Sequence, residues 1–475
     1  MLFNSFHFVA FFIIVTSIYF ALPNKFRVLF LLAASCYFYM VFVPIYILIL
    51  AFTIVIDYYA GIYLEKFQGS KRKWFLIASL VANIGVLAFF KYYNFFIDNT
   101  FLLLHGLGYK GSIPYLSILL PIGLSFHTFQ AMSYTIEVYR GNQKAEKQFD
   151  VYALYVMFYP QLVAGPIERP QHIIWQLKKE HKFDSALVVS GLRLMLWGAF
   201  KKIVIADRLA PHVNEVYDHL FKYSGFSLIL AIFFFSIQIY CDFSGYSDIA
   251  IGAARVMGIN LMKNFDTPYY SKSITEFWRR WHISLSSWLS DYLYSPIVLG
   301  LRNWGKWAVI ISLNITFLLA GLWHGASWNY VLFGLLNGFA LTYEFLTKKT
   351  KKKLFFLIPA SIYNGICIVL TFFFWSFSLI FFRAKTLNNA IYVITHLFHS
   401  NGLLGIGSMT VLSFGIVVVC IIIMELVQYL HAKNNIVNFL TKQPQLIRWT
   451  VYSMVAMAII FLGNFGSEKF IYFQF

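Results

Sequence analysis

Apolar runs of about 20 residues, the length a helix needs to cross the hydrocarbon core of a bilayer, recur from Phe6 to the C-terminus of this 475-residue chain. Backbone in lipid must satisfy its own N–H and C=O groups, so a chain with many such runs is confined to spanning helices. Composition agrees: 59% of residues are hydrophobic, 20% aromatic and 12% charged, with a mean hydropathy of +0.67, far more apolar than a soluble globular chain. We expect an all-α polytopic membrane protein forming one integral membrane domain over residues 1–475, with no soluble domain visible.

The formal charge of +18 does not signal a nucleic-acid partner, because the basic residues sit between spans, as in Lys66/Lys71/Arg72/Lys73 and Lys348/Lys349/Lys351/Lys352/Lys353. That is the positive-inside pattern, with anionic membrane lipid as the partner. The first run, Phe6–Leu22, lacks a basic leader and a small-residue cleavage site and reads as a retained span. Placing Met1 outside puts Lys25/Arg27, the loop Glu65–Lys73 and Arg140/Lys144/Lys147 all on the cytoplasmic side, with a weakly charged outer loop over 98–114. Cys36, Cys241, Cys367 and Cys420 lie in or beside apolar segments without metal-ligand spacing and are assigned no chemistry.

After Asp150 the alternation degrades. Segments Val151–Gly165, Ser185–Ile205 and Phe226–Gly252 are interrupted by Pro160, Gly165-Pro166, Asp242, Gly245 and Asp248. Irregular backbone at membrane depth is tolerated only where protein or water buries it, so broken or re-entrant helices around a polar funnel are expected there.

The densest polar chemistry falls between Glu276 and Asn329. Ile274–Tyr292 is too polar to span; on one helix it would set Trp278, Trp281, Leu285, Trp288, Leu289 and Tyr292 against Glu276, Arg279, Arg280, Ser286, Ser287 and Asp291. An interfacial helix with Trp at headgroup depth is expected. Beyond it, two apolar stretches meet at about His324–Asn329, bounded by Arg302/Lys306 and the Lys348–Lys353 run, and form a hairpin whose turn carries His324. The pairs Gly321/Gly325 and Gly334/Gly338 permit close helix approach. Three later spans, Leu354–Phe382, Met409–Leu430 and Trp449–Leu462, read as scaffold.

His324 is either a proton-transfer group for a hydroxyl nucleophile or a core histidine bonded to a neighbouring carbonyl. His282, beside Arg279 and Arg280, is a candidate either to orient an acyl donor or to stabilise charge, while the arginines suit either a phosphate-bearing substrate or lipid phosphates. Trp278, Trp323 and Asp242 complete the candidate substrate-binding set, although ion pairing or helix capping that holds broken backbone is the commoner explanation for Asp242, Asp248, Glu168 and Arg169, and the structural role is favoured for all four. His127 reads as a packed histidine. No metal cluster, phosphate loop or Gly-x-Ser-x-Gly elbow is present, which favours direct transfer between two bound substrates.

Five linked stretches, PQLVAGPIERPQHI, YCDFSGYSDIAIG, EFWRRWHISLSSWLSDYLY, GLWHGASW and FIYFQF, resemble those of the bacterial membrane-bound O-acyltransferase (MBOAT) family, nearest the branch of the alginate O-acetylation membrane subunit. They span roughly Leu120 to the C-terminus. The resemblance implies a ring-like multi-helix fold thinned around a central funnel, with N-terminal spans in 1–115, a catalytic core in 116–347 and C-terminal spans in 348–475. It makes His324 and His282 the catalytic candidates. It also implies no bound cofactor, a cytoplasmic thioester such as acetyl-CoA as donor, and a secreted or cell-wall polysaccharide as acceptor. Acceptor hydroxyls would be reached directly or through a periplasmic or extracellular transferase partner, from the bacterial cytoplasmic membrane. His127 departs from the pattern, where the family commonly carries an aromatic residue.

Alternatives are D-alanyl transfer to teichoic acid, a transporter or flippase, and a scaffold for glycan synthesis. A missing internal repeat disfavours transport.

Overall fold

The computed structural model describes residues 1–108, 111, 115–116, 121–399, 409–434, 436–465 and 470–471. The regular elements among them are all helical, and eight helices are long and apolar enough to cross a membrane. Parts of the expected 98–114 loop and of the FIYFQF stretch lie outside the described residues. The chain divides into two compact units: Met1–Met195 with Ile249–Met262, and Leu196–Asp248 with Lys263–Phe475.

In the first unit, helices Phe6–Ala21 and Asn24–Met40 lead into Ile47–Lys66, Gly69–Leu87 and Leu124–Arg140. The last three pack together around a polar seam. Asp57 accepts from Ser79 Oγ at 2.6 Å and from Asn83 Nδ2 at 2.8 and 2.9 Å, and Ser79 meets Thr135 at 3.0 Å. Internal satisfaction of this kind is what lets polar groups lie between apolar helices. The fourth span is longer than its sequence suggests: Gly69–Gly106 is helical throughout, with a π turn at Ala88–Tyr92, so part of the expected outer loop is helix.

The interruption expected over Val151–Gly165 is real. Helix Phe149–Met157 stops at Phe158, one short turn Tyr159–Leu162 follows, and the next helix begins at Pro170. Conserving hydrogen bonds costs little here because side chains replace the helical partners. Tyr155 O accepts from both Gln130 Nε2 and Gln161 Nε2, Ser35 Oγ accepts the Tyr159 N–H at 3.0 Å, and Glu168 binds His172 Nδ1 at 2.6 Å and the Met262 N–H at 2.5 Å. Ser185–Ile205 likewise changes character, from an α-helix over Ser185–Ala199 to a π-helix over Phe200–Ala206.

Phe226–Gly252, by contrast, is not broken. One continuous 31-residue helix runs Phe226–Val256. Within the second unit its carboxylates are matched: Asp242 pairs with Lys202 at 2.6 Å, Asp248 with Lys201 at 2.8 Å, and Lys202 also holds Asp207 at 2.6 Å. Gly245 faces the Gly198 carbonyl and the Lys202 amide so closely that a Cβ would fall 2.7 and 3.0 Å from them. The residues that look like breakers are instead the points where this helix meets the 196–208 segment.

The Ile274–Tyr292 helix is a second correction. It consists of helix Ile274–Arg280, a break at Trp281–His282, helix Ile283–Leu289 and a π turn Ser290–Tyr294. Its tryptophans are core residues rather than an interfacial row: Trp278, Trp281 and Trp288 are all buried. Phe277 and Trp281 pack on Trp375 with ring centroids at 4.4 and 4.8 Å.

The hairpin forms where expected, with helices Lys306–His324 and Trp328–Leu357 joined by a three-residue turn, but the second helix does not stop at the Lys348–Lys353 run and continues through it to Leu357. A Cβ on Gly321 would collide with the Tyr330 carbonyl oxygen and one on Gly334 with that of Phe317, while Gly338 faces Asn314. Only glycine allows this backbone approach. Gly325 differs: it makes room for the Tyr330 ring inside the turn. Helix Ala360–Arg383 then packs on Trp328–Leu357.

Candidate active site

His324 is the last residue of helix Lys306–His324 and is buried. Its ring stands 5.0 Å from Trp323, 5.2 Å from Phe382 and 5.9 Å from Phe333, edge-on to each. Phe333 and Phe382 meet at 5.3 Å, so the imidazole lies in an aromatic wall built from the hairpin and helix Ala360–Arg383. Water is displaced from such a wall, and hydrogen bonds within it act in a low dielectric.

His282 occupies the break. Its φ of 46° and ψ of 53° are left-handed, and among described non-glycine residues only Thr267 (φ 44°) shares a positive φ. Histidine is one of the few side-chain-bearing residues enriched there, and strain of about 1–3 kcal/mol persists only where the surroundings enforce it. They do. The Ile283 N–H donates to Asn264 O at 2.9 Å and the Asp266 N–H to Arg280 O at 2.9 Å, so segment 264–266 grips the chain on both sides of His282. Asn264 Oδ1 accepts from Ser284 Oγ at 2.9 Å, and Asn264 Nδ2 donates to Ser247 Oγ at 3.1 Å.

The His282 ring is 1% exposed and lies 4.6 Å from Phe243 and 5.9 Å from Trp323. Burial pushes its pKa down to about 3, so it is a neutral imidazole across the physiological range. Trp323 therefore touches both histidines, one from the broken segment and one from the hairpin end.

Of the candidate substrate-binding residues, Trp323 stands in this cluster. Trp278 is one element away, buried, donating from Nε1 to Asn337 Oδ1 at 3.2 Å and stacked edge-on to Phe317. Arg279 is exposed; Arg280 is half-buried, pairing with Glu276 at 2.7 Å and donating to Thr267 Oγ1 at 3.2 Å. Asp242 is committed on both oxygens, Oδ1 to Lys202 and Oδ2 to the Ile471 N–H at 2.7 Å. That is the ion-pair explanation, and Asp248 follows it through Lys201. Glu168 binds His172, and Arg169 donates to Ser133 Oγ at 3.4 Å. His127 is packed, its Nδ1 3.2 Å from Gly123 O. Among the described residues no three His, Cys, Asp or Glu side chains gather as a metal site.

Residues that the motifs did not flag also shape the cluster: Phe243 beneath His282, Asn264 beside it, and the lysines Lys201 and Lys202 that hold its helix. The lysines were visible as charges inside an apolar segment, a signal in its own right; their partners were not.

An all-helical multi-pass membrane protein with two buried histidines joined by a tryptophan is the class this architecture defines. Residues 142–384 match the sequence profile of MBOAT, the membrane-bound O-acyltransferase family. The chain belongs to that family and is an O-acyltransferase. A peptidoglycan O-acetyltransferase of Helicobacter pylori is 34% identical over 402 residues, covering 79% of this chain and 74% of that protein. A probable alginate O-acetylase of Azotobacter vinelandii is 38% identical over 334 residues, covering 69% of this chain and 65% of that protein, just under two thirds of its length. A teichoic acid D-alanyltransferase of Bacillus subtilis is more distant, 28% identical over 274 residues, 56% of this chain and 69% of that one.

Proposed function

We propose that this chain moves an acetyl group from a cytoplasmic thioester, acetyl-CoA, to hydroxyls of a secreted or cell-wall polysaccharide, directly or through an extracytoplasmic transferase partner. The observation that carries the reading is the contact of Trp323 with both His282 and His324. Greater identity to proteins named for O-acetylation than to the D-alanyltransferase supports acetyl over D-alanyl.

His324 takes the proton of the acceptor hydroxyl as its oxygen attacks the thioester carbonyl. A C–O bond forms, the C–S bond breaks, and the departing thiolate receives the proton from the imidazolium. A positioned general base of this kind contributes about 10²–10⁴-fold. His282, held neutral, orients the donor or supplies a hydrogen bond to the developing oxyanion. Arg279 and Arg280 meet phosphates at the cytoplasmic surface. The N-terminus lies outside, which sets the basic segments 65–73 and 348–353 in the cytoplasm of a cell whose inner membrane houses the protein.

The test is the O-acetyl content of exopolysaccharide and peptidoglycan, released by mild base, in a deletion strain complemented with wild type, His282→Ala or His324→Ala. Loss restored only by wild type supports the reading and shows the polymer. Unchanged acetylation of both polymers in all strains sinks the acceptor assignment.

A further inference from the structure

The two histidines reside on separate elements, and no direct covalent turn fixes their separation. Helix Trp328–Leu357 touches both elements. Toward His324, Gly321, Gly334, Gly338 and Asn314 lock it against helix Lys306–His324. Toward His282, it presents Asn337 and Glu344, two turns apart on one face, about 10.5 Å along the axis.

Those two side chains grip helix Ile274–Arg280, the element immediately before His282. Glu344 accepts from the Ile274 N–H at 2.8 Å, the Thr275 N–H at 2.9 Å and Thr275 Oγ1 at 2.8 Å. Asn337, fully buried, accepts from Trp278 Nε1 at 3.2 Å and donates to Phe333 O at 2.8 Å. A single contact is a pivot; two spaced contacts fix both axial register and rotation. The carboxylate also completes the orphan amides at the helix start. Buried polar residues in an apolar helix are expensive and are retained where they specify geometry. An apolar residue would fill the site of Asn337 at lower desolvation cost, but would not set register.

We propose that Asn337 and Glu344 are positioning residues that set the separation of His282 from His324. The inference rests on the histidine reading above. Neither residue touches the histidine rings in the described contacts; each acts through helix Ile274–Arg280, whose C-terminal end leads directly to the strained His282 backbone.

The experiment uses the full chain in membranes or nanodiscs and compares Asn337→Leu, Asn337→Asp, Glu344→Ala and the Asn337→Leu/Glu344→Ala pair with His282→Ala and His324→Ala. Labelled acetyl-CoA is the donor probe, and amide hydrogen exchange is followed over 264–290. Displacement by about 1 Å costs on the order of 10²-fold in a positioned reaction. We expect Asn337→Leu and Glu344→Ala to lower kcat at least about tenfold with donor KM and melting temperature kept, and exchange at Asp266 and Ile283 to quicken. Asn337→Asp, which keeps the acceptor oxygen, should stay near wild type. Unchanged exchange over 264–290 in the double variant overturns the inference whatever the activity. So does a kcat within about twofold of wild type, or a loss of kcat that tracks loss of stability equally in Asn337→Asp. Full activity of the two histidine variants defeats the functional reading instead, and leaves the exchange result to decide the clamp.

Discussion

The indole of Trp323 stands 5.9 Å from the ring of His282, although the two are delivered by different elements, one by a break in a polar segment and the other by a spanning helix. Trp323 also precedes His324 in the chain, so the tryptophan ties a loop histidine to a helix-end histidine within one aromatic cluster. Replacing it by Leu keeps the position apolar but removes both ring contacts and leaves a cavity where the indole stood. Transfer should fall while membrane abundance holds, and mild-base acetyl release alongside immunoblotting checks this.

His324→Gln retains a hydrogen-bonding side chain and loses proton transfer. Its transfer rate should drop by about 10²–10⁴-fold with melting temperature preserved. A variant protein as active as wild type removes His324 from the reaction.

His282 gives a pH signature for stability. Its folded pKa is pushed down to about 3, below the ordinary histidine value of about 6.5, so between those values the unfolded chain binds the extra proton. The stabilisation associated with a neutral His282 is fully present above about pH 6.5 and is lost as pH falls toward 3. Melting temperature measured from pH 7 to pH 4 should decline less steeply in His282→Asn, a residue that also tolerates the left-handed backbone. An identical slope in both proteins assigns the acid sensitivity elsewhere.

Lys202 bridges two buried carboxylates, Asp207 and Asp242, each at 2.6 Å. Lys202→Met removes the cation that both carboxylates share, whereas Asp242→Asn removes one of the two negative charges and keeps an acceptor for the Ile471 N–H. Breaking a buried pair costs about 3–5 kcal/mol, so Lys202→Met should be the more destabilising. Thermal unfolding in detergent, with both proteins at matched concentration, orders them.

Gly321→Val should separate the hairpin helices, because any Cβ at that position strikes the Tyr330 carbonyl. Overpacking of this kind costs typically about 1–3 kcal/mol. Gly365, where an added Cβ meets nothing within 4 Å, is the control, and Gly365→Ala, inside helix Ala360–Arg383, should not lower the melting temperature.

The spanning helices and the hairpin were determined by the sequence alone. Length, hydropathy and the basic flanks at Arg302/Lys306 and Lys348–Lys353 are local quantities, and the lipid requirement for internal hydrogen bonding leaves few other folds. The His324 turn and the close glycine approach were legible for the same reason. The helical break at His282 was not: no glycine or proline marks it, and the left-handed backbone is imposed by Asn264 and Asp266 from another part of the chain. Asp242, Gly245 and Asp248 looked like interruptions because their partners, Lys201, Lys202 and Gly198, are supplied only by folding. The tryptophans of the 274–292 segment looked interfacial because periodicity reports which residues share a face, not what covers that face. Sequence thus marked which segments are apolar enough to cross a membrane and which residues are candidates for the chemistry. Tertiary structure decided how polar groups inside it are satisfied and how two distant histidines come to share one tryptophan, since both depend on contacts between residues far apart in the chain.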